Sequence, residues 1–331
     1  MCATYRDHQE NKMLYSKRLL SAAFSVIPVS ARWRHSIAIT LVGMCVATAA
    51  GQSVASQQTN DALLLIEQPE QFYRQMPVVA RTLDWPLIEV REREAIPALA
   101  RHGGEIAEQL YDVNKTMTQI RDGLKAFDDE VGHDRLPGIA SRLRAADDAF
   151  AALSFEALQA KDSEIQAKVD GRPDKAVIDR LAQNMAAPAF GGETVLTAQR
   201  FKWVYEARIS GSKSELSQLS RDELDAGVAS IITTTRSTEN DVQRIPLLQP
   251  SFRESALRMR RQAVLSELPA QDVADLAAFY DSAAGRAKLA VMNDVFRRRN
   301  DEDGHAVLMK LVEEAQKQQG QSTPDGMKPP R

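Results

Sequence analysis

The chain has 331 residues, 42 of them basic and 45 acidic, with two cysteines and 6% aromatics. A chain of this size buries enough surface to need no disulfide staple. Its acidic balance and few aromatics argue against nucleic-acid binding, which calls for a basic face.

The first informative element is a 15-residue apolar run, Ser36 to Ala50, reading SIAITLVGMCVATAA. Arg32, Arg34 and His35 precede it and a polar stretch from Gly51 follows, the order of a secretory signal. It is shorter than the roughly 20 apolar residues that a membrane-spanning helix needs. Cleavage is expected near Ala49, after Ala47-Thr48-Ala49, or near Ala55, after Ser53-Val54-Ala55. Met44 before Cys45 opposes lipid attachment, and Trp33 splits the arginines that a twin-arginine signal requires. Residues 1 to about 28 make the leader over-long, which fits a true start downstream of Met1. The expected location is periplasmic or secreted. Cleavage at Ala49 or Ala55 removes Cys2 and Cys45, leaving no cysteine for a disulfide. Residues 1–50 also carry six basic and two acidic residues, so 36 basic and 43 acidic remain.

Residues 51–60 read as a polar linker and 61–187 as a helical domain. Pro69, Pro77 and Pro86 keep the first helices short. From Pro97 a seam follows alternating three- and four-residue steps: Leu99, Ile106, Leu110, Val113, Met117, Ile120, Leu124, Phe127 and Val131, with Gly103 as the one gap. This predicts one long heptad helix over 97–131 with Gly103-Gly104 as its weak point. The positions flanking the seam are small or mixed rather than densely charged, which favours an intramolecular hairpin over an intermolecular coiled coil. Gly132 to Gly138 marks a turn, and Ile139, Leu143, Ala146, Phe150 and Leu153 predict a return helix over 139–160. Asp174 is placed to cap a helix running to Met185. The segment Ala187 to Gly192, with Pro188 and Gly191-Gly192, predicts a domain boundary.

A second helical-bundle domain is expected over 193–315. Ser220 and Glu223 form a capping box, and Pro269 opens a later helix. Leu216, Ser217, Leu219 and Leu224 recur as Leu265, Ser266, Leu268 and Val273, a short internal repeat. Residues 316–331, polar and carrying three prolines, are expected to be a disordered tail.

Within the second domain, Phe279-Tyr280-Asp281-Ser282-Ala283-Ala284-Gly285-Arg286 closes an amphipathic helix. The stretch 268–296 resembles the bacterial domain of unknown function 2059, with a looser likeness from about residue 200. That family carries Phe-Tyr-x-Ser-Pro-x-Gly-Lys/Arg here, and Ala283 stands in place of its proline. The resemblance implies an exported helical protein and supplies no known activity. Physically, Ser282 should end one helix and cap the next, Phe279 and Tyr280 should anchor the corner, and Gly285 should permit close approach.

Candidate chemistry is sparse. Ser210 and Lys213 fit S-x-x-K without its companion motifs. Asn300 to His305 is the densest group of metal-ligand types. A calcium-loop alignment puts Arg299 and Lys310 at its first and last ligand positions, so a solvated turn is the expectation. His102, His133 and His305 show no zinc spacing. Arg297, Arg298 and Arg299 are expected at a helix C-terminus, where cations suit the dipole, and Arg258, Arg260 and Arg261 form a second basic spot. Trp85 and Trp203 read as core anchors. No P-loop, dinucleotide fingerprint or nucleophile elbow is present. No residue is nominated as catalytic, cofactor-binding or metal-binding.

The expectation is an all-α, exported, non-enzymatic module that binds an envelope protein or a cell-wall or lipid component. Membrane contact is compatible with this expectation, and spanning is not expected once the signal is cleaved. A periplasmic hydrolase without a recognisable motif and a helical carrier of an apolar ligand are the alternatives.

Overall fold

The computed structural model describes residues 54–81, 96–127, 134–153, 155–210, 218–237 and 250–321. The expected export signal, Trp85, Val131, His133, Lys213, Leu216 and Ser217 lie outside them. All regular structure among the described residues is α-helix, so the fold is all-α.

Helix α1 (Val54–Glu67) begins inside the stretch expected to be a linker. Its polar residues Ser56, Thr59 and Asn60 are buried rather than solvated, and Asn60 Oδ1 accepts from the buried Lys288 Nζ at 2.7 Å. The chain breaks helix at Gln68, which takes a left-handed φ of 54°, and enters α2 (Pro69–Arg81) with proline in the first position. The two helices have 14 and 13 residues, and Pro77 lies inside α2 rather than ending it, so the prolines limit helix length less than expected.

The expected continuous helix over 97–131 is two helices, α3 (Ile96–Leu110) and α4 (Val113–Leu124). The break falls at Tyr111-Asp112 and not at the glycines. Asp112 takes the cap position, its carboxylate accepting from Lys115 N at 2.9 Å. Gly103 and Gly104 are points of close approach: a Cβ at Gly103 would stand 1.8 Å from Tyr205 Oη, and one at Gly104 2.0 Å from Arg81 Cγ. The seam residues keep their predicted face, with Ile106, Met117, Ile120 and Leu124 buried.

The return helix is also divided, into α5 (Leu136–Ala151) and α6 (Phe155–Asp170). Helix α5 packs chiefly on α1, while α4 packs on a helix from the far end of the chain, so the expected hairpin of 97–131 against 139–160 does not form. Helix α7 (Lys175–Asn184) follows Asp174, but that carboxylate is held by Arg172 Nε at 2.8 Å and makes no side-chain cap.

Helix α8 (Ala187–Ser210) runs through the predicted boundary. Gly191 and Gly192 sit inside it, buried, where added Cβ atoms would meet Leu257 Cδ1 at 2.0 Å and Glu254 Oε1 at 2.5 Å. Glycine here serves packing rather than chain breaking. Helix α9 (Arg221–Ser237) opens on the predicted capping box: Ser220 N donates to Glu223 Oε2 at 2.7 Å and Glu223 N to Ser220 Oγ at 3.3 Å.

Helices α10 (Pro250–Ser266) and α11 (Ala270–Asp281) lead to α12 (Ala283–Gln321), 39 residues and about 58 Å long. The corner forms as expected. Ser282 ends α11 in an extended conformation, and its Oγ accepts from Gly285 N at 2.9 Å. Phe279 and Tyr280 are buried, and a Cβ at Gly285 would lie 2.0 Å from Phe279 O. Residues 316–321 of the expected disordered tail are instead helical, because α12 continues to Gln321 and Gln316 Nε2 donates to Leu219 O at 2.7 Å; residues 322–331 lie outside the described residues.

Helices α8 and α12 cross the middle of the molecule. Around α8 pack α2, α9, α10 and α12; around α12 pack α3, α4, α8 and α9. Buried apolar side chains from Leu63 in α1 to Val312 in α12 form one cluster, so residues 61–187 and 193–315 share a core. No described helix is long and apolar enough to cross a membrane.

Candidate functional site

Helix α12 buries Leu289, Met292, Phe296, Arg299, Asn300, Asp303, Val307 and Leu311, a stripe at three- and four-residue steps. Its chemistry changes midway. Apolar turns flank a central turn of Arg299, Asn300 and Asp303, which therefore enter the core as a polar layer.

Asp303 collects donors from three helices' worth of sequence. Tyr73 Oη donates to its Oδ2 at 2.6 Å, Asp112 N to the same oxygen at 3.2 Å, and Arg299 Nη2 to Oδ1. Arg299, only 3% exposed in its side chain, also reaches Glu302 Oε2 at 2.6 Å. Burial pushes the Asp303 carboxyl above its ordinary range, against the pull of Tyr73, Arg299 and the Asp112 amide. Burial, reinforced by Asp303, pushes the Tyr73 phenol far up, so it stays a donor.

Beside this group, Asn300 Oδ1 accepts from Thr197 Oγ1 at 2.9 Å and Tyr111 Oη at 3.2 Å, and its Nδ2 donates to Glu193 Oε2 at 2.8 Å. Glu193 is gripped by Arg236 through two bonds of 2.8 and 2.9 Å. Arg236 also reaches Asp301 at 2.7 Å, and the fully buried Arg200 reaches Asp301 at 2.6 Å. Burial works against the Arg236 charge, but Glu193 and Asp301 outweigh it and hold the guanidinium protonated. Such bidentate pairs fix geometry as well as charge.

Glu193 and Arg236 are partly exposed, at 12% and 25% of their side chains. They line a cleft of about 560 Å³ together with Ala189, Phe190, Gly192 and Leu196 of α8, Glu254 of α10, and Ala290, Asn293, Asp294, Phe296 and Arg297 of α12. Its floor is the stacked pair Phe190 and Phe296, with centroids 4.3 Å apart. Asn293 Oδ1 is enclosed there without a hydrogen-bond partner among the described residues.

A second buried charge cluster lies around the end of α1. Glu67, at the end of α1, accepts from Ala187 N at 2.8 Å and from Tyr280 Oη. Burial raises its carboxyl above the ordinary range despite Arg261 and those donors. Asp147 takes Gln68 Nε2 and Arg260 Nε, each at 2.9 Å, and Arg261 Nη2 donates to Ile66 O at 3.0 Å.

These positions revise several sequence expectations. Asn300 to His305 is not a solvated turn but the middle of α12, and its acids are engaged by arginines and Tyr73. Among the described residues no group of three or more His, Cys, Asp and Glu is arranged to hold a metal. Arg297 to Arg299 lie in mid-helix rather than at a helix end. Arg297 pairs with Asp294 at 2.9 Å, Arg298 reaches Gln119 at 3.3 Å, and Arg299 is core. Arg260 and Arg261 turn to Asp147 and the α1 terminus rather than adding to a basic face. His102 meets Glu314 at 2.5 Å and His305 meets Asp225 at 3.4 Å. Ser210 ends α8, and Trp203 packs on the core as expected.

Sequence reasoning missed Glu67, Tyr73, Tyr111, Glu193, Arg200 and Arg236. One usable signal was the seven-residue spacing of Glu193 and Arg200, which puts opposite charges on one face of α8. No family model matches the chain, and neither a curated protein nor a solved structure matches it.

Proposed function

We propose that this chain is an exported, non-enzymatic binding module of the cell envelope, and that the cleft between α8 and α12 is its binding surface. The observation that carries the reading is the engagement of charge. Asp303, Asp301, Glu193 and Asp147 each face a guanidinium, and Asp303 is sealed in the core with Tyr73. A catalytic site leaves an acid, base or nucleophile open to its substrate. A polar layer tied off in this way instead stiffens the body and holds one concave surface in shape.

The apolar run at Ser36 to Ala50 and the likeness of 268–296 to an exported helical family support placement outside the cytoplasm. An envelope protein is the partner this reading favours. The test is crosslinking in living cells with a C-terminally tagged chain, combined with fractionation. One stoichiometric envelope partner, lost when Ala290→Trp fills the cleft, is the expected result. Self-crosslinks alone, or a cytoplasmic chain with an intact N-terminus, would contradict it.

A further inference from the structure

We infer that α6 (Phe155–Asp170) is a strap: it undocks from α10 as a unit, pivoting at Gly171, while the rest of the molecule stays folded, and closes again over an apolar groove. That groove shares no lining residue with the cleft between α8 and α12, and the strap moves whatever the cleft binds.

Burial gives the first ground. Among the described residues every other helix contributes buried side chains to the apolar core, and α6 contributes none. Val169 is its one buried side chain among those described and lies outside that core; Ile165 is half-buried and the others are exposed. The helix packs chiefly on α10. Elements with so few buried apolar contacts open on their own, well below the free energy that unfolds the body.

The contact that does exist is loosely filled. Between α5, α6 and α10 runs a groove of about 400 Å³ walled by Phe150, Leu153, Ile165 and Ala263, where a close-packed interior leaves almost no space. Phe150 and Leu153 are half-buried, so the groove already reaches solvent. Lys168 Nζ ties α6 to Glu267 at 2.6 Å, but the two side chains are 49% and 53% exposed, and such a pair contributes little.

The anchor sits just past the helix. Arg172 Nη1 donates to Leu268 O at 2.8 Å and to Ser266 O at 3.2 Å, and its Nε and Nη2 grip Asp174, each at 2.8 Å. Residues 172–174 are thereby pinned to the turn between α10 and α11. Gly171 stands between this pinned segment and α6, with no side chain to resist backbone rotation. Across it Lys175 Nζ is 3.8 Å from Asp170, with side chains 39% and 52% exposed, a second weak tie. Lifting α6 about this point uncovers Ala263 and Ser266 of α10, both buried when it is closed.

Amide hydrogen exchange on the full chain, resolved by peptide and repeated at low denaturant, tests the strap. Amides of 161–169 should exchange about a hundredfold or more faster than those of 257–264 in α10. They should also respond little to denaturant, because a small opening exposes little surface. Ile120→Val, in the core of α4, should lower α10 protection by about two- to tenfold and leave α6 unchanged. Ile165→Ala should lower α6 protection by about tenfold and speed thiol labelling at Ala263→Cys by the same factor. Equal protection and equal denaturant dependence in the two helices would overturn the inference without any variant. So would an α6 that follows Ile120→Val, labelling at Ala263→Cys that ignores Ile165→Ala, or an α6 unprotected in the native chain, since a strap must also close.

Discussion

Helices α3 and α4 and helix α12 lie against one another, and each carries a stripe of buried positions at heptad-like spacing. The α3–α4 stripe is apolar on both sides of Tyr111-Asp112, yet the helix breaks there. The α12 stripe is interrupted by Arg299, Asn300 and Asp303, yet that helix runs for 39 residues without a break. The two anomalies are halves of one arrangement. The break frees the Asp112 N–H, which no backbone carbonyl among the described residues takes up, and Asp303 Oδ2 accepts it at 3.2 Å. It also turns Tyr111 toward α12, where its hydroxyl meets Asn300. A polar turn in one helix thus completes the hydrogen bonding of a break in another, which buried backbone groups require.

The strongest way to break this comparison is Asp303→Ala. It strands Arg299 in the core and leaves Tyr73 and the Asp112 amide without their acceptor, and loss of one partner of a buried pair costs about 3–5 kcal/mol. Denaturant unfolding measures it. Glu302→Ala removes the exposed partner of the same arginine, 49% accessible, and should cost about 1 kcal/mol or less. Equal losses would mean that burial of the α12 polar turn does not matter.

Asp147 tests whether buried carboxylates elsewhere behave alike. Burial raises its pKa, but Arg261, Gln68 and Arg260 outweigh it and hold the group below its ordinary 3.8. Its stabilisation is therefore full above that value and is lost as pH falls through the lower folded-state value. Asp147→Asn should cost about 2 kcal/mol at neutral pH. The gap to the native chain should narrow when the unfolding midpoints are compared at pH 3.

Gly103→Ala sharpens the distinction between a break and a close approach. In an ordinary helix the change is favourable by up to about 1 kcal/mol. Here the new Cβ would collide with the buried Tyr205 hydroxyl, so a loss of about 1–3 kcal/mol is expected instead. Gly138→Ala in α5 is the control, with its nearest neighbour an ordinary 3.6 Å away, and it should be neutral or stabilising. The smallest effect belongs to the start of α12. Ala283→Pro puts proline at the first helical position, after Ser282 with ψ 157°, and should add about 0.5–1 kcal/mol. Thermal unfolding measures both.

Local signals were legible where they act within one turn. The Ser220–Glu223 box, the Ser282 corner with Phe279 and Tyr280, and the buried face of the 99–124 seam are all where the residues place them. What periodicity could not reveal is the partner. Asp112 falls two residues after Leu110, off the seam and its flanks, and nothing near it in sequence tells that Asp303, 191 residues away, will take its amide. For the same reason Asn300 to His305 reads as solvated, since unpaired charges belong in water. Only tertiary contact supplies the arginines and tyrosine that let Asp303 be buried. The glycines at 103–104 and 191–192 misled in the opposite direction, because local propensity counts them as breakers while the fold uses them as contact surfaces. Of the cleft, Phe190, Phe296 and Arg236 come from three helices that no sequence motif links.

Amide hydrogen exchange at Asp112 tests the central claim most directly. In the native chain its amide should be protected to a degree comparable with Ile120, in the middle of α4, because Asp303 closes the break. In Asp303→Ala its protection should fall selectively, by more than that of Ile120. An Asp112 amide that exchanges freely in the native chain, or that tracks Ile120 in the variant, would contradict the account.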